Sequence, residues 1–146
     1  MNELLIYKCD ICGYVLEVTN LGKRTLVESG SGFTRTMTVA DAVLVCCGKP
    51  MTLLKPNAGD ASSEKHMPVV TFNGDMVNVN VGSKEHPMSE EHSIKWIAIL
   101  AGGRVQRIDL EPDDKPEADF YIGNAPTVKA YAYCDKHDLW MTTATR

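Results

Sequence analysis

The sequence has no long apolar run; the cleanest, Trp96 to Ala101, is far too short to cross a bilayer. It has no basic surplus either. Its 15 Lys and Arg against 19 Asp and Glu leave a net charge of −4, where a nucleic-acid binder should carry a basic stripe. The N-terminal stretch from Met1 to Cys9 has Glu3 where a basic region belongs and no small-residue cleavage site. No signal peptide is therefore expected, and a cytoplasmic location is the default. No window carries the periodicity of a long amphipathic helix, no segment repeats, and no tract is of low complexity. What remains is ordinary for a folded chain of 146 residues: 44% hydrophobic and 23% charged, enough for one domain or two small ones.

Cysteine is sparse, and its placement is informative. Without an export signal, the five cysteines read as metal ligands or redox groups before disulfides. Cys9, Cys12, Cys46 and Cys47 fall in the first third, whereas Cys134 joins His66, His86, His92 and His137 in the rest. The polar, turn-rich stretch Lys55 to Ser63 separates the two sets. This predicts a small unit over 1–54, a linker over 55–63 and a larger unit over 64–146.

The larger unit reads as strands. Val77, Val79 and Val81 alternate with Asn78 and Asn80, the period of a half-buried strand. Ile94–Leu100, Val105–Leu110, Ala118–Ile122, Val128–Tyr133 and Leu139–Thr143 are further candidates, rich in β-branched and aromatic residues. Strands at this spacing predict an all-β chain with a β-sandwich. In the small unit, Arg24–Glu28 and Phe33–Met37 flank Ser29-Gly30-Ser31-Gly32 and predict a hairpin.

Cys9-Asp10-Ile11-Cys12 is a two-residue knuckle that lets two thiolates reach one ion. The second pair, Cys46-Cys47, is adjacent, so a distorted tetrahedron is expected. Four thiolates suit iron or zinc equally; the structural alternatives are a zinc ribbon and a strained vicinal disulfide. A unit of about 50 residues buries little core, which is itself a reason to be cross-linked by an ion. In the second set, any one histidine is more often a surface or core residue than a ligand. Together, four nitrogens and one sulfur make five donors. Zinc usually takes four, whereas iron holds five with a sixth position open.

These motifs occur in a known order. Cys9-x-x-Cys12 and Cys46-Cys47-Gly48-x-Pro50-Met51 come first, then Glu64-Lys65-His66-x-Pro68. Glu85-His86-Pro87-Met88, His92 and Cys134-x-x-His137-x-Leu139-Trp140 follow. Over nearly the whole chain the pattern resembles the desulfoferrodoxins, two-iron superoxide reductases. The resemblance implies a rubredoxin-like iron at Cys9, Cys12, Cys46 and Cys47 in a desulforedoxin-like domain. It implies a catalytic iron with His66, His86, His92 and His137 equatorial and Cys134 axial, in an immunoglobulin-like β-sandwich. It also implies a homodimer. Superoxide would bind opposite Cys134, take one electron and, with protons, leave as hydrogen peroxide, after which an outside, rubredoxin-like donor restores the ferrous state. Lys65 would attract the anion and organise a proton-bearing water, and Glu64 would coordinate or cover the oxidised iron.

Formal charge separates the two centres. Two positive charges against four thiolates leave the first anionic; two against one thiolate leave the second cationic and open to an anion. Two other classes compete: a two-iron electron carrier without superoxide chemistry, and a structural two-zinc protein. Two features depart from the family pattern. The gap between Cys12 and Cys46 is lengthened by the expected hairpin, and Asp138 stands where glycine is usual. If position 138 needs a left-handed backbone, Asp is among the better substitutes. Trp96, Trp140, Tyr131, Tyr133 and Met88 receive no role, since strand aromatics are more often core.

Overall fold

The computed structural model describes residues 3–19, 26–30, 33–37, 43–58 and 63–146, with the backbone alone at 26–30, 33–37, 63 and 64. The chain divides into two compact units, Glu3–Leu54 and Lys55–Arg146.

The first unit is built from very short strands. β1 (Ile6–Lys8) lies between β2 (Val15–Glu17) and β7 (Thr52–Leu53) in an antiparallel sheet, with Tyr7 opposite both Leu16 and Leu53. β3 (Leu26–Gly30) pairs with β4 (Phe33–Met37) from Leu26↔Met37 to Gly30↔Phe33. This is the expected hairpin, with Ser29 and Gly30 inside the strand. Arg24, Thr25, Ser31 and Gly32 lie outside the described residues. β5 (Val45–Cys46) and β6 (Lys49–Pro50) flank a tight turn. Among the described residues, Leu4, Ile6, Cys9 and Met51 alone are buried in this unit. A unit of about 50 residues buries little core in general, and a shared ion is the physical substitute.

The second unit is a seven-stranded sandwich of the immunoglobulin-like kind. One sheet has the order β12 (Glu117–Tyr121), β9 (Met76–Val81), β8 (Pro68–Asn73). The other runs β11 (Arg104–Asp109), β10 (Ile94–Ala101), β13 (Thr127–Cys134), β14 (Asp138–Thr145), and every pairing is antiparallel. Val77, Val79 and Val81 are fully buried, as their alternation predicts, with Ile97, Ile99, Val128, Ala130 and Ala132 in the same core. Strand β8 was not anticipated. Proline opens it, which the ladder tolerates at the first residue of an edge strand. Among the described residues, helix is confined to one turn, α1 (Ser63–His66). Of the expected linker, Gly59–Ser62 lie outside the described residues. Asn57 already bridges to Trp140 on β14.

Three local features aim the loops at one end of this sandwich. A bulge at Lys95 shifts the β10–β13 register between Ile94↔Cys134 and Trp96↔Tyr133. Next to it, Ser93 and Asp135 are tied twice: Asp135 N–H donates to the Ser93 carbonyl, and Ser93 N–H to Asp135 Oδ1, both at 3.2 Å. The β13–β14 hairpin closes with Cys134 opposite Asp138, whose φ of 58° is left-handed. That is where a three-residue hairpin loop calls for glycine, and Asp pays less there than most residues because its side chain can bond locally. Gly82, at φ 86°, donates its N–H to the Met67 carbonyl at 2.9 Å and lets the α1 turn close on it.

Candidate metal centres

Cys9 and Cys12 flank the turn after β1, and Cys46 and Cys47 occupy the β5–β6 turn. Gly13 N–H donates to the Cys9 carbonyl at 2.9 Å, and Cys9 N–H to the Tyr14 carbonyl at 2.8 Å, which curls the knuckle. Cys47 has φ 53° and Gly48 φ 73°. Two successive left-handed residues turn neighbouring thiols toward the same point, so the backbone absorbs the adjacency. The Cys12–Cys46 sulfurs lie 3.6 Å apart and the Cys46–Cys47 sulfurs 3.9 Å apart. Metal–sulfur bonds of about 2.3 Å at tetrahedral angles require about 3.8 Å, so these spacings fit an ion. All five cysteines are free thiols, which removes the vicinal disulfide.

Protonation supports the same reading. Backbone N–H groups of Cys12 and Ile11 hold the Cys9 thiol down at about 7. The Cys46 thiol is pushed up to about 12 by hydrogen bonds shared with Cys12 and Cys9, and the Cys12 contact raises Cys47 too. Four thiolates cannot coexist there without a cation to compensate them.

The second cluster gathers His66 from α1, His86 and His92 from the β9–β10 loop, and Cys134 and His137 from the β13–β14 turn. Their donor atoms all lie within 4.8 Å of one another. Ring centroids give the arrangement. Successive neighbours His66–His137, His137–His92, His92–His86 and His86–His66 are 4.5, 4.9, 4.7 and 4.6 Å apart, whereas the diagonal His66–His92 is 6.2 Å. The four imidazoles form a square. His66 Nε2 and His92 Nε2 stand 2.9 and 3.1 Å from His137 Nδ1. Adjacent nitrogens on one ion, at bonds of about 2.1 Å, should be about 3.0 Å apart. Cys134 Sγ is 3.2 Å from His92 Nε2 and 3.5 Å from His137 Nδ1, close to all corners at once.

The donor chemistry agrees. His86 Nδ1–H donates to the Pro87 carbonyl at 2.6 Å, which turns the Nε2 lone pair inward, and that buried Nε2 has no hydrogen-bond partner. An outer hydrogen bond of this kind orients a metal-ligating imidazole. Burial holds His86 down at about 4 and lowers His92, where the neighbouring His137 adds to the effect. Burial raises the Cys134 thiol, against the backbone N–H groups of Lys136 and His137 that favour its thiolate. Neutral imidazoles and a desolvated sulfur facing one point constitute a cation site. His66, His86 and Cys134 are buried, and His137 is exposed.

Every expected metal ligand is thus brought to one of two clusters. Lys65 is exposed beside His66, and the Glu64 side chain lies outside the described residues. The structure adds contributors that residue patterns did not reveal. Trp140 stacks on His66, and its Nε1–H donates to the His137 carbonyl. Asp135 ties the Cys134 turn to Ser93 and pairs with Lys95 at 3.5 Å. Met88 Sδ accepts the Ile94 N–H at 3.4 Å. Trp96 instead stacks on Tyr133, its cross-strand partner.

Comparison with known proteins places these clusters in context. A family model described as desulfoferrodoxin matches residues 58–143, and one described as the desulfoferrodoxin N-terminal domain matches residues 1–32, stopping short of Cys46. The desulfoferrodoxin of Syntrophotalea carbinolica is 43% identical over 94% of this chain and 94% of its own length. That of Clostridium acetobutylicum is 46% identical over 83% of this chain and 88% of its own length. Among solved structures, the superoxide reductase from Treponema pallidum shares the fold, with a TM-score of 0.68 at 24% identity, covering 97% of this chain and 99% of that one. A one-iron superoxide reductase from Giardia intestinalis aligns with a TM-score of 0.52 at 25% identity, over 57% of this chain and 99% of that one.

Proposed function

The chain belongs to the desulfoferrodoxin family, and from that premise we propose that it is a superoxide reductase working at the five-donor centre, with a second iron among the four cysteines. The observation that carries the reading is the imidazole square with one thiolate close to its corners. Five donors leave a six-coordinate ion one position for a small anion. Ferrous iron held there supplies the electron and that open position.

The remaining work belongs to residues of this chain. Burial keeps His86 and His92 neutral and free to ligate, and a divalent ion against the one thiolate of Cys134 would leave the centre net positive, drawing an anion despite the acidic total. Lys65 adds a positive charge beside His66 and holds the water that supplies protons; Glu64, its neighbour, covers the oxidised centre. Superoxide takes one electron and two protons, giving hydrogen peroxide and no oxygen. The anionic four-cysteine centre excludes superoxide and relays electrons from a rubredoxin-like donor. The protein acts as a homodimer in the cytoplasm, detoxifying superoxide; five free cysteines suit a reducing compartment.

The test is rapid mixing of the anaerobically reduced protein with superoxide. We expect one superoxide consumed and one peroxide released per five-donor centre, without oxygen, as a thiolate-to-ferric absorption band appears. Zinc in both centres would overturn the reading. Iron that ignores superoxide would replace it with the two-iron electron carrier. Lys65→Ala should slow the reaction and weaken its salt dependence; a variant as fast as the parent with the same salt dependence refutes the steering role.

A further inference from the structure

His66 and His137 are 71 residues apart in sequence, on a single helical turn and in a three-residue hairpin loop, yet they present Nε2 and Nδ1 to each other at 2.9 Å. Short loops of this kind do not set a ring's plane alone. The torsion that turns an imidazole about its Cβ–Cγ bond is broad, without sharp staggered wells, so some neighbour must select the angle. One side chain touches both residues. Trp140, 1% exposed, lies flat on the His66 ring with centroids 4.9 Å apart and planes 18° from parallel. Its Nε1–H donates to the His137 carbonyl at 2.9 Å.

We propose that Trp140 is the positioning residue for the His66–His137 edge of the five-donor centre, acting on one ligand through its ring face and on the other through its N–H. The proposal rests on reading that centre as an iron site. Trp140 is itself well anchored. On one side its strand pairs with β13, where Trp140 faces Ala132. On the other, Asn57 N–H donates to the Leu139 carbonyl at 2.8 Å and Met141 N–H to the Asn57 carbonyl at 3.2 Å. The strand is therefore held from both edges at the residue that must not move. Asn57 Nδ2 also approaches the His137 carbonyl, at a longer 3.5 Å. The stack sets which way the His66 edge points: with the indole nearly parallel to it, His66 crosses His86 at 76° and His137 at 67°, both edge-on.

Two variants separate the actions. Trp140→Phe keeps a ring over His66 and deletes the N–H; Trp140→Leu deletes both and keeps an apolar side chain. The holoprotein is challenged with an iron chelator, and the four-cysteine iron in the same molecule serves as internal reference. Loss of an outer hydrogen-bond partner to a metal ligand typically costs about 10- to 100-fold in affinity. The Phe variant should therefore release the five-donor iron about tenfold faster, and the Leu variant nearer a hundredfold, while the first iron leaves at the parental rate. The ferric electron paramagnetic resonance and thiolate band of the second centre should change in both. A Phe variant with parental release and parental spectra overturns the proposal. So do variants that lose iron only in step with lost stability of the iron-free protein while their spectra stay parental. A parent that holds no iron at the five donors removes the site reading itself, and the proposal with it, before any variant is compared.

Discussion

Gly82→Ala should damage the five-donor centre although residue 82 touches no ligand. A methyl group built on Gly82 would lie 2.6 Å from the Lys65 carbonyl oxygen and 2.8 Å from its carbon, and closer still to the Lys84 carbonyl oxygen. Ordinary carbon–oxygen contacts begin near 3.3 Å, so the Lys65 peptide must retreat by roughly 0.7 Å. That peptide immediately precedes His66, and functional geometry tolerates only about 0.5 Å. The φ of 86° adds a backbone cost of about 1–2 kcal/mol for any side chain. Gly103→Ala is the control: its φ is 74°, but nothing lies within 4 Å of the added carbon. It should pay the backbone cost alone. Denaturant midpoints of the iron-free proteins give the two stability losses, and Gly82→Ala should exceed Gly103→Ala by about 1–3 kcal/mol. If the turn yields instead, His66 shifts, and chelator competition should report about 10- to 100-fold weaker iron binding at the second centre alone. A Gly82→Ala protein as stable as Gly103→Ala, with parental iron affinity, would refute the argument that this glycine seats the His66 turn.

Two further outcomes follow from charge. Because burial holds His86 down at about 4, the fold favours its neutral form. The iron-free protein should keep that stability above about pH 6.5 and lose up to about 3 kcal/mol of it as pH falls toward 4. Urea midpoints across this range, compared between parent and His86→Phe, check it; parallel profiles would refute it. Asp138→Asn should keep the left-handed turn and remove a negative charge that raises the Cys134 thiol. The reaction with superoxide should then quicken about twofold at low salt, the worth of one screened, half-buried charge of roughly 0.5 kcal/mol, with the gain vanishing at high salt. A slower variant, or a gain indifferent to salt, contradicts this.

The nine metal ligands were legible as residues because few side chains can bind a transition ion, and each was already grouped with its set along the chain. The valines of β9 were legible because a strand with one buried face must alternate. Strand β8 was not, since Pro68 opens it and neither Val69 nor Val70 is fully buried. In the first unit the β3–β4 hairpin was legible, whereas β1, β2, β5, β6 and β7 escaped notice because two or three residues are too few to show a period.

Sequence order carried no information about the order of ligands in space. That the imidazoles run His66, His137, His92, His86 around a square depends on which loops meet at one end of the sandwich. So does the closeness of Cys134 to all of them. The choice of ring nitrogen depends on neighbours as well: His86 offers Nε2 because the Pro87 carbonyl occupies Nδ1. Trp140 looked like one more core aromatic of a strand. Its role became visible only where β14 passes beneath the His66 turn. Ligand identity is a property of single side chains, which a sequence states directly. Ligand geometry is a relation between segments far apart in the chain, and the packing of the sandwich brings them together.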